Sequence, residues 1–182
     1  AALGVTPYEA LLDQFDPGRR EAQVDAIFAD LEAFLPGFVR QVMDKQASQS
    51  APVTPQGPFP IARQRELSHE VMRVFGFPFE RGRLDTAHHP FSGGADGDIR
   101  ITTRYDERDF MKSLMAVIHE TGHALYEDGR PAQWRGQPVG NSRGMTLHES
   151  QSLLLEMQAA RSEGFVRFLA PTFKRILGGA GP

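Results

Sequence analysis

Between Arg19 and Gln46 the apolar residues Val24, Ile27, Phe28, Leu31, Phe34, Leu35, Phe38, Val39 and Val42 recur three and four positions apart. That period predicts a core helix pair or one bent helix, with a kink or break at Pro36-Gly37, where proline removes a backbone donor. Upstream, Thr6-Pro7-Tyr8-Glu9 has the form of a helix start: Thr as N-cap, Pro at the first helical position and Glu reaching back to the cap. A short helix to about Asp13 follows. Ile61 to Phe75 reads as a second amphipathic helix, closed by Gly76, with Leu67, Val71, Val74 and Phe75 on its buried face. A third runs from an Asp106 cap to about Asp128 and stops at Gly129 and Pro131. Its stripe is Phe110, Leu114, Val117, Ile118, Thr121 and Leu125. The loop WRGQPVGNSRG leads to a long final helix from about Met145 to Leu169.

Two stretches alternate instead. LDTAHHPF and GDIRITTRY carry β-branched residues at period two, and SGGADG between them reads as a turn, so a small antiparallel pair is predicted. His88 and His89, adjacent on such a strand, would point to opposite faces. Ser48 to Pro60 holds four prolines in thirteen residues and is a loop or connector where a domain boundary could fall. The sum is a mainly α fold with a small antiparallel β-sheet, read as one domain over residues 1–182 with a connector at about 48–60.

Composition narrows the chemistry. With 182 residues and 40% apolar content the chain can bury a real core, and it lacks an apolar run of the roughly 18–20 residues that span a bilayer. A formal net charge of -3 and the lack of a basic patch argue against nucleic acid. The first residues show no basic segment followed by an apolar one and a cleavage site, so the expected compartment is cytoplasmic. With no cysteine, any metal must be held by His, Asp or Glu.

Those residue types meet in HETGH. His119 and His123 lie one turn apart on one helical face, so both imidazoles can reach a single cation, while Glu120, about 100° round the helix, can approach a water there without ligating. The competing reading is two histidines on an ordinary helix. A catalytic zinc takes three protein ligands and keeps an open position. Glu149, 26 residues past His123, supplies a third from the final helix. Glu156, two turns further on the same face, is either a partner of that site or solvated, with solvation the default. His148 points away from Glu149 and is as well read as a surface histidine as a substrate contact. Trp134, Arg135 and Arg143 flank a loop that could cover the site; packing and solvation are their default reading.

Four ordered motifs together resemble the carboxypeptidase Taq family of metallocarboxypeptidases: HPF at His89, Pro90 and Phe91, D-x-R-x-T at Asp98, Arg100 and Thr102, HETGH, and HESQ at His148 to Gln151. The resemblance covers most of the chain from about Pro58 to Leu169 and implies a zincin-like, mostly helical core forming homodimers. It implies one divalent ion per chain, zinc first and cobalt second, on His119, His123 and Glu149, with Glu120 as general base. Peptides losing single C-terminal residues are the implied substrates. The HPF and D-x-R-x-T segments, with His148, would line the groove. Family members are several hundred residues long, and this chain looks like their central part; the later motifs I-R-x-x-A-D and D-x-H-W, implicated in holding the substrate carboxylate, are not found here. Arg100, Arg104 and Arg143 are the cations left for that task. Two further readings stand beside exopeptidase action: a catalytically silent metal-binding piece that acts in association, and an oligopeptidase or endopeptidase with the same site.

Overall fold

The structure, a computed structural model, describes residues 4–178. They fall into two compact units divided between Thr54 and Pro55, within the proline-rich connector.

The first unit is helical. In α1 (Pro7–Leu12) the expected capping box forms: Thr6 Oγ1 accepts from Glu9 N–H at 3.2 Å and Glu9 Oε2 accepts from Thr6 N–H at 3.3 Å. Glu9 Oε1 also accepts from Glu21 N–H at 3.1 Å, tying α1 to the start of α2 (Glu21–Ala47). The break expected at Pro36-Gly37 does not occur, and α2 runs through Pro36 as one helix. A proline forfeits one backbone bond and strains one turn. The helical turns before Pro36 and beyond Gly37 carry the ladder across it. No residue of α2 is buried, so the apolar stripe read as core is exposed, Phe28 at 62% and Phe34 at 58%.

The second unit is built around α4 (Phe110–Asp128). On one side, Leu114 and Ile118 pack with Leu67 and Val71 of α3 (Ile61–Phe75) and with Leu169 and Ile176 of α6 (Glu163–Leu177). On another, Val117 and Ala124 pack with Met72, Phe77 and the sheet residues Leu84, Ile99 and Ile101. Of the face expected on α3, Leu67 and Val71 are buried, Phe75 is half-buried and Val74 is 57% exposed; Met72 takes Val74's place in the core. The start of α4 is capped by Asp109, whose carboxylate accepts from Met111 and Lys112 N–H. Asp106, the expected cap, instead accepts from Arg108 N–H at 2.9 Å in the preceding turn.

The sheet is mixed rather than an antiparallel pair. Strands β1 (Gly82–Thr86), β2 (Phe91–Ala95) and β3 (Asp98–Thr103) lie in the order β1-β3-β2, with β1 parallel and β2 antiparallel to β3. His88 and His89 lie in the bend between β1 and β2, not on a strand, and this bend takes the chain across β3. Thr102 fastens it: its Oγ1 donates to His89 O at 2.9 Å and accepts from Phe91 N–H at 3.1 Å. Most of the expected SGGADG turn pairs as β2, leaving Asp96-Gly97 as a two-residue hairpin with Gly97 at φ 82°.

The expected long final helix is three pieces. α5 (Met145–Leu153) passes into a π-helical turn, Leu154–Ala159, and α6 restarts at Ser162, whose Oγ accepts from Phe165 N–H. A fresh N-cap is a cheaper start than continuing a helix through the wide turn.

Candidate metal centre

His119 and His123 stand on the face of α4 turned towards α5, and Glu149 comes to them from α5. One ligand atom from each lies within 4.8 Å of the others. Glu149 Oε2 is 3.5 Å from both His119 Nε2 and His123 Nε2. Donors held about 2.0–2.1 Å from a tetrahedral ion stand about 3.3 Å apart, so the set fits a zinc-sized cation. Two imidazole nitrogens and a carboxylate oxygen suit such an ion as well, and the half-exposed Glu149 leaves a side open to solvent.

The close approach of α5 depends on Gly122. A Cβ there would lie 2.6 Å from Gln151 O and from Ser152 Cα, so only glycine lets the two backbones meet at this height. Ser152 is fully buried in that contact, and its Oγ lies 2.9 Å from Glu149 Oε2 and 2.8 Å from Glu149 O, fixing the carboxylate's rotamer.

Each histidine has a partner on its other nitrogen. His119 Nδ1 donates to Glu156 Oε2 at 3.0 Å, because a carboxylate can only accept. The default reading of Glu156 as solvated is thus overturned: from the π-helical turn its carboxylate reaches α4. His123 Nδ1 is 2.6 Å from His148 Nδ1, and His148 Nε2 is 2.9 Å from Glu127 Oε1. His148 is therefore not a surface histidine. Neither Glu127, Ser152 nor Gly122 was singled out from sequence. The i, i+4, i+8 spacing of His119, His123 and Glu127 was the available signal.

Glu120 is buried, and burial first of all raises its pKa; the Glu149 carboxylate adds to this and His119 opposes it. Burial likewise lowers the pKa of His123, with the Glu149 carboxylate opposing and His148 and His119 assisting, which favours the neutral imidazole a cation needs.

The HPF and D-x-R-x-T motifs meet each other across the sheet, Phe91 opposite Thr102. His89, Pro90 and Phe91 are exposed, Thr102 is buried as the bend's fastener, and Arg100 is engaged with Asp98 through Nη2 at 2.7 Å. A cavity of roughly 290 Å³ is lined by the β2–β3 hairpin, including Asp98, together with Glu127, Arg130, Arg135 and His148. A second, of roughly 500 Å³, is bordered by Gly122, Tyr126, Arg143 and Gln151. Arg104 borders neither; it lies with Tyr105 and Lys112 beside the start of α4. Trp134 is half-exposed in the loop between α4 and α5, and Arg135 donates to Asp128 O at 3.1 Å.

A helical core with two histidines and a glutamate converging from facing helices is the architecture of a metallopeptidase. Residues 1–181 match the model of the Carboxypeptidase Taq (M32) metallopeptidase family, and the chain belongs to that family. It is 39% identical to Carboxypeptidase 1 of Bacillus subtilis over 93% of this chain and 33% of that protein. To Thermostable carboxypeptidase 1 of Thermus thermophilus it is 35% identical, over 96% of this chain and 34% of that one. The solved structure of Trypanosoma cruzi metallocarboxypeptidase 1 superposes with a TM-score of 0.93 at 44% identity, covering 97% of this chain and 37% of that one. The chain spans about a third of the length of the curated relatives it matches. Among the described residues no helix is long and apolar enough to cross a membrane.

Proposed function

We propose that the chain carries the hydrolytic centre of a metallocarboxypeptidase, with His119, His123 and Glu149 holding one zinc ion, or cobalt in its place. The observation that carries this is the 3.5 Å approach of one Glu149 oxygen to both imidazole Nε2 atoms. When bound, the ion supplies acidification of a water and polarisation of the scissile carbonyl. Glu120, displaced round α4 from both histidines, takes the water's proton as it attacks and returns it to the leaving amine. Its burial supports this role, since a carboxylate whose pKa is raised is a stronger base than an exposed one.

A peptide's free carboxylate needs a placed cation to offset its desolvation. Of the three arginines considered, Arg143 is best supported, because it borders the larger cavity together with Gly122 of HETGH and Gln151 of HESQ. Arg100 is committed to Asp98. Strand β2, at the sheet's edge beside the smaller cavity, offers backbone groups to an extended peptide. The homodimer implied by the family resemblance is supported by the apolar side chains that α2 leaves exposed, and sedimentation of the chain tests it.

The test is hydrolysis of an N-blocked dipeptide with zinc added. Glu120→Gln is expected to retain zinc and lose about 10²- to 10⁴-fold in rate. Hydrolysis by Glu120→Gln at the parent's rate would refute the mechanism. Because the chain spans a third of its relatives' length, a silent metal-binding role is the rival reading; zinc binding without turnover by the parent would select it. Internal cuts in a long peptide, in place of stepwise C-terminal loss, would select an endopeptidase.

A further inference from the structure

His148 and Glu127 contribute no atom to the three-donor set, yet they determine what His123 can offer to it. Glu127 lies one turn beyond His123 on α4, and its Oε2 is ion-paired with Arg130 Nε at 2.8 Å. Arg130 is held in turn by Gly140 O at 2.6 Å and by Asp96 Oδ1 at 2.8 Å, and Asp96 Oδ2 accepts from Gly136 N–H at 2.9 Å. Glu127 is thus anchored on the hairpin tip and the α4–α5 loop.

Direction follows from donor and acceptor capacity once His123 Nε2 is a ligand. A carboxylate paired with arginine only accepts, so His148 Nε2, 2.9 Å from Glu127 Oε1, carries a hydrogen. A ligating His123 Nε2 carries no hydrogen, so the ring hydrogen of His123 is on Nδ1, and across the 2.6 Å contact His123 Nδ1 donates to His148 Nδ1. His123 Nε2 is left with its lone pair free for an ion, 3.5 Å from Glu149 Oε2 in the set it shares with His119. With the chain run the other way, an Nε2–H would face Glu149 and the donor set would be one ligand short.

We infer that His148 and Glu127 are positioning residues that lock His123 in its Nδ1–H tautomer, so that the Nε2 donor is preset before any metal arrives. This rests on the proposal that His119, His123 and Glu149 hold the ion. Groups behind a ligating histidine typically change metal affinity by about 10- to 100-fold when removed.

Two measurements on the 182-residue chain test it. Long-range ¹H–¹⁵N correlation spectra of the metal-free and zinc-loaded chain should show His123 as Nδ1–H and His148 as Nε2–H in both. Zinc competition against a chromophoric chelator should show His148→Leu weakened by on the order of 10- to 100-fold, with Glu127→Leu weakened less. His148→Asn should recover much of the loss, because its amide oxygen stands near the lost Nδ1 acceptor. A His148 hydrogen on Nδ1 would overturn the inference. So would a folded His148→Leu chain that binds zinc within about twofold of the parent, given the expected loss. If the parent itself fails to bind zinc, the metal-centre reading falls, while the metal-free spectra still decide the tautomers. Should His148→Leu not fold, the spectra of the parent and the Asn variant decide alone.

Discussion

Helices α2 and α4 carry the same kind of apolar stripe and meet opposite fates. Every residue of α2 is at least partly exposed, whereas α4 buries ten of its nineteen residues between α3, α6 and the sheet. Periodicity determines that a segment is helical and which side is apolar; burial depends on a second surface arriving from elsewhere in the chain. α4 meets such surfaces within its own unit, and the chemistry sits on a further side, the one facing α5.

That contrast predicts that truncation hurts one helix and spares the other. The largest effect is expected from Leu114→Ala, since Leu114 is 1% exposed: a loss of about 2–5 kcal/mol in urea unfolding. A loss below that range would mean the α4 core is loosely packed. Gly122→Ala comes next. Overpacking against the α5 backbone costs about 1–3 kcal/mol, which exceeds the roughly 1 kcal/mol gained by replacing a helical glycine. Zinc affinity should fall with it, because the added methyl pushes Glu149 away; unchanged affinity in a chelator competition would show that α5 docks elsewhere.

A smaller effect is expected from pH. The pKa of His123 is lowered in the folded chain, so its contribution to stability is fully present above the ordinary histidine value of about 6.5 and is lost as pH falls through the folded value. Glu120 has the opposite sign: its raised pKa favours the folded chain below the ordinary value and that advantage is lost as pH rises. Between pH 7.5 and 5.5 the two oppose each other, so the His123 effect shows as a difference: denaturation midpoints of the metal-free parent should fall further, or rise less, than those of His123→Gln. An equal change in the two would place the titrating group elsewhere. The smallest effect is Phe34→Ala in α2, within about 0.5 kcal/mol of the parent, because a side chain already 58% exposed loses little. A loss above 2 kcal/mol, in the range of a core truncation, would mean α2 is covered in solution.

What could be read from sequence was what is local. The α1 capping box, the end of α4 at Asp128 and the shared face of His119 and His123 depend on residues within a turn or two, and the family resemblance rested on four such short runs. What could not be read involves distant partners. β3 inserts between β1 and β2 because Thr102 fastens the bend at His89, a contact thirteen residues apart that alternation does not encode. Spacing placed Glu156 on the face of Glu149 but left its partner open, because His119 comes from another helix. Glu127 lay in plain view within HETGHALYE, but its partner is His148, brought in by a separate helix. On α2 the same three-and-four spacing gave the helix and misjudged its burial.

The α4–α5 connection has a consequence for chain closure. Gly129 to Gly144 joins the helix carrying two donors to the helix carrying the third, and two short 3₁₀ turns are its only regular structure. The entropy of closing such a loop grows only logarithmically with its length, by about 0.6 kcal/mol per doubling. The Gly122 contact, by contrast, tolerates no added atom. Related chains are therefore free to lengthen and rewrite this segment while the helix pair keeps its spacing: the tolerance for insertion lies in the linker, and the intolerance in a single hydrogen-sized side chain.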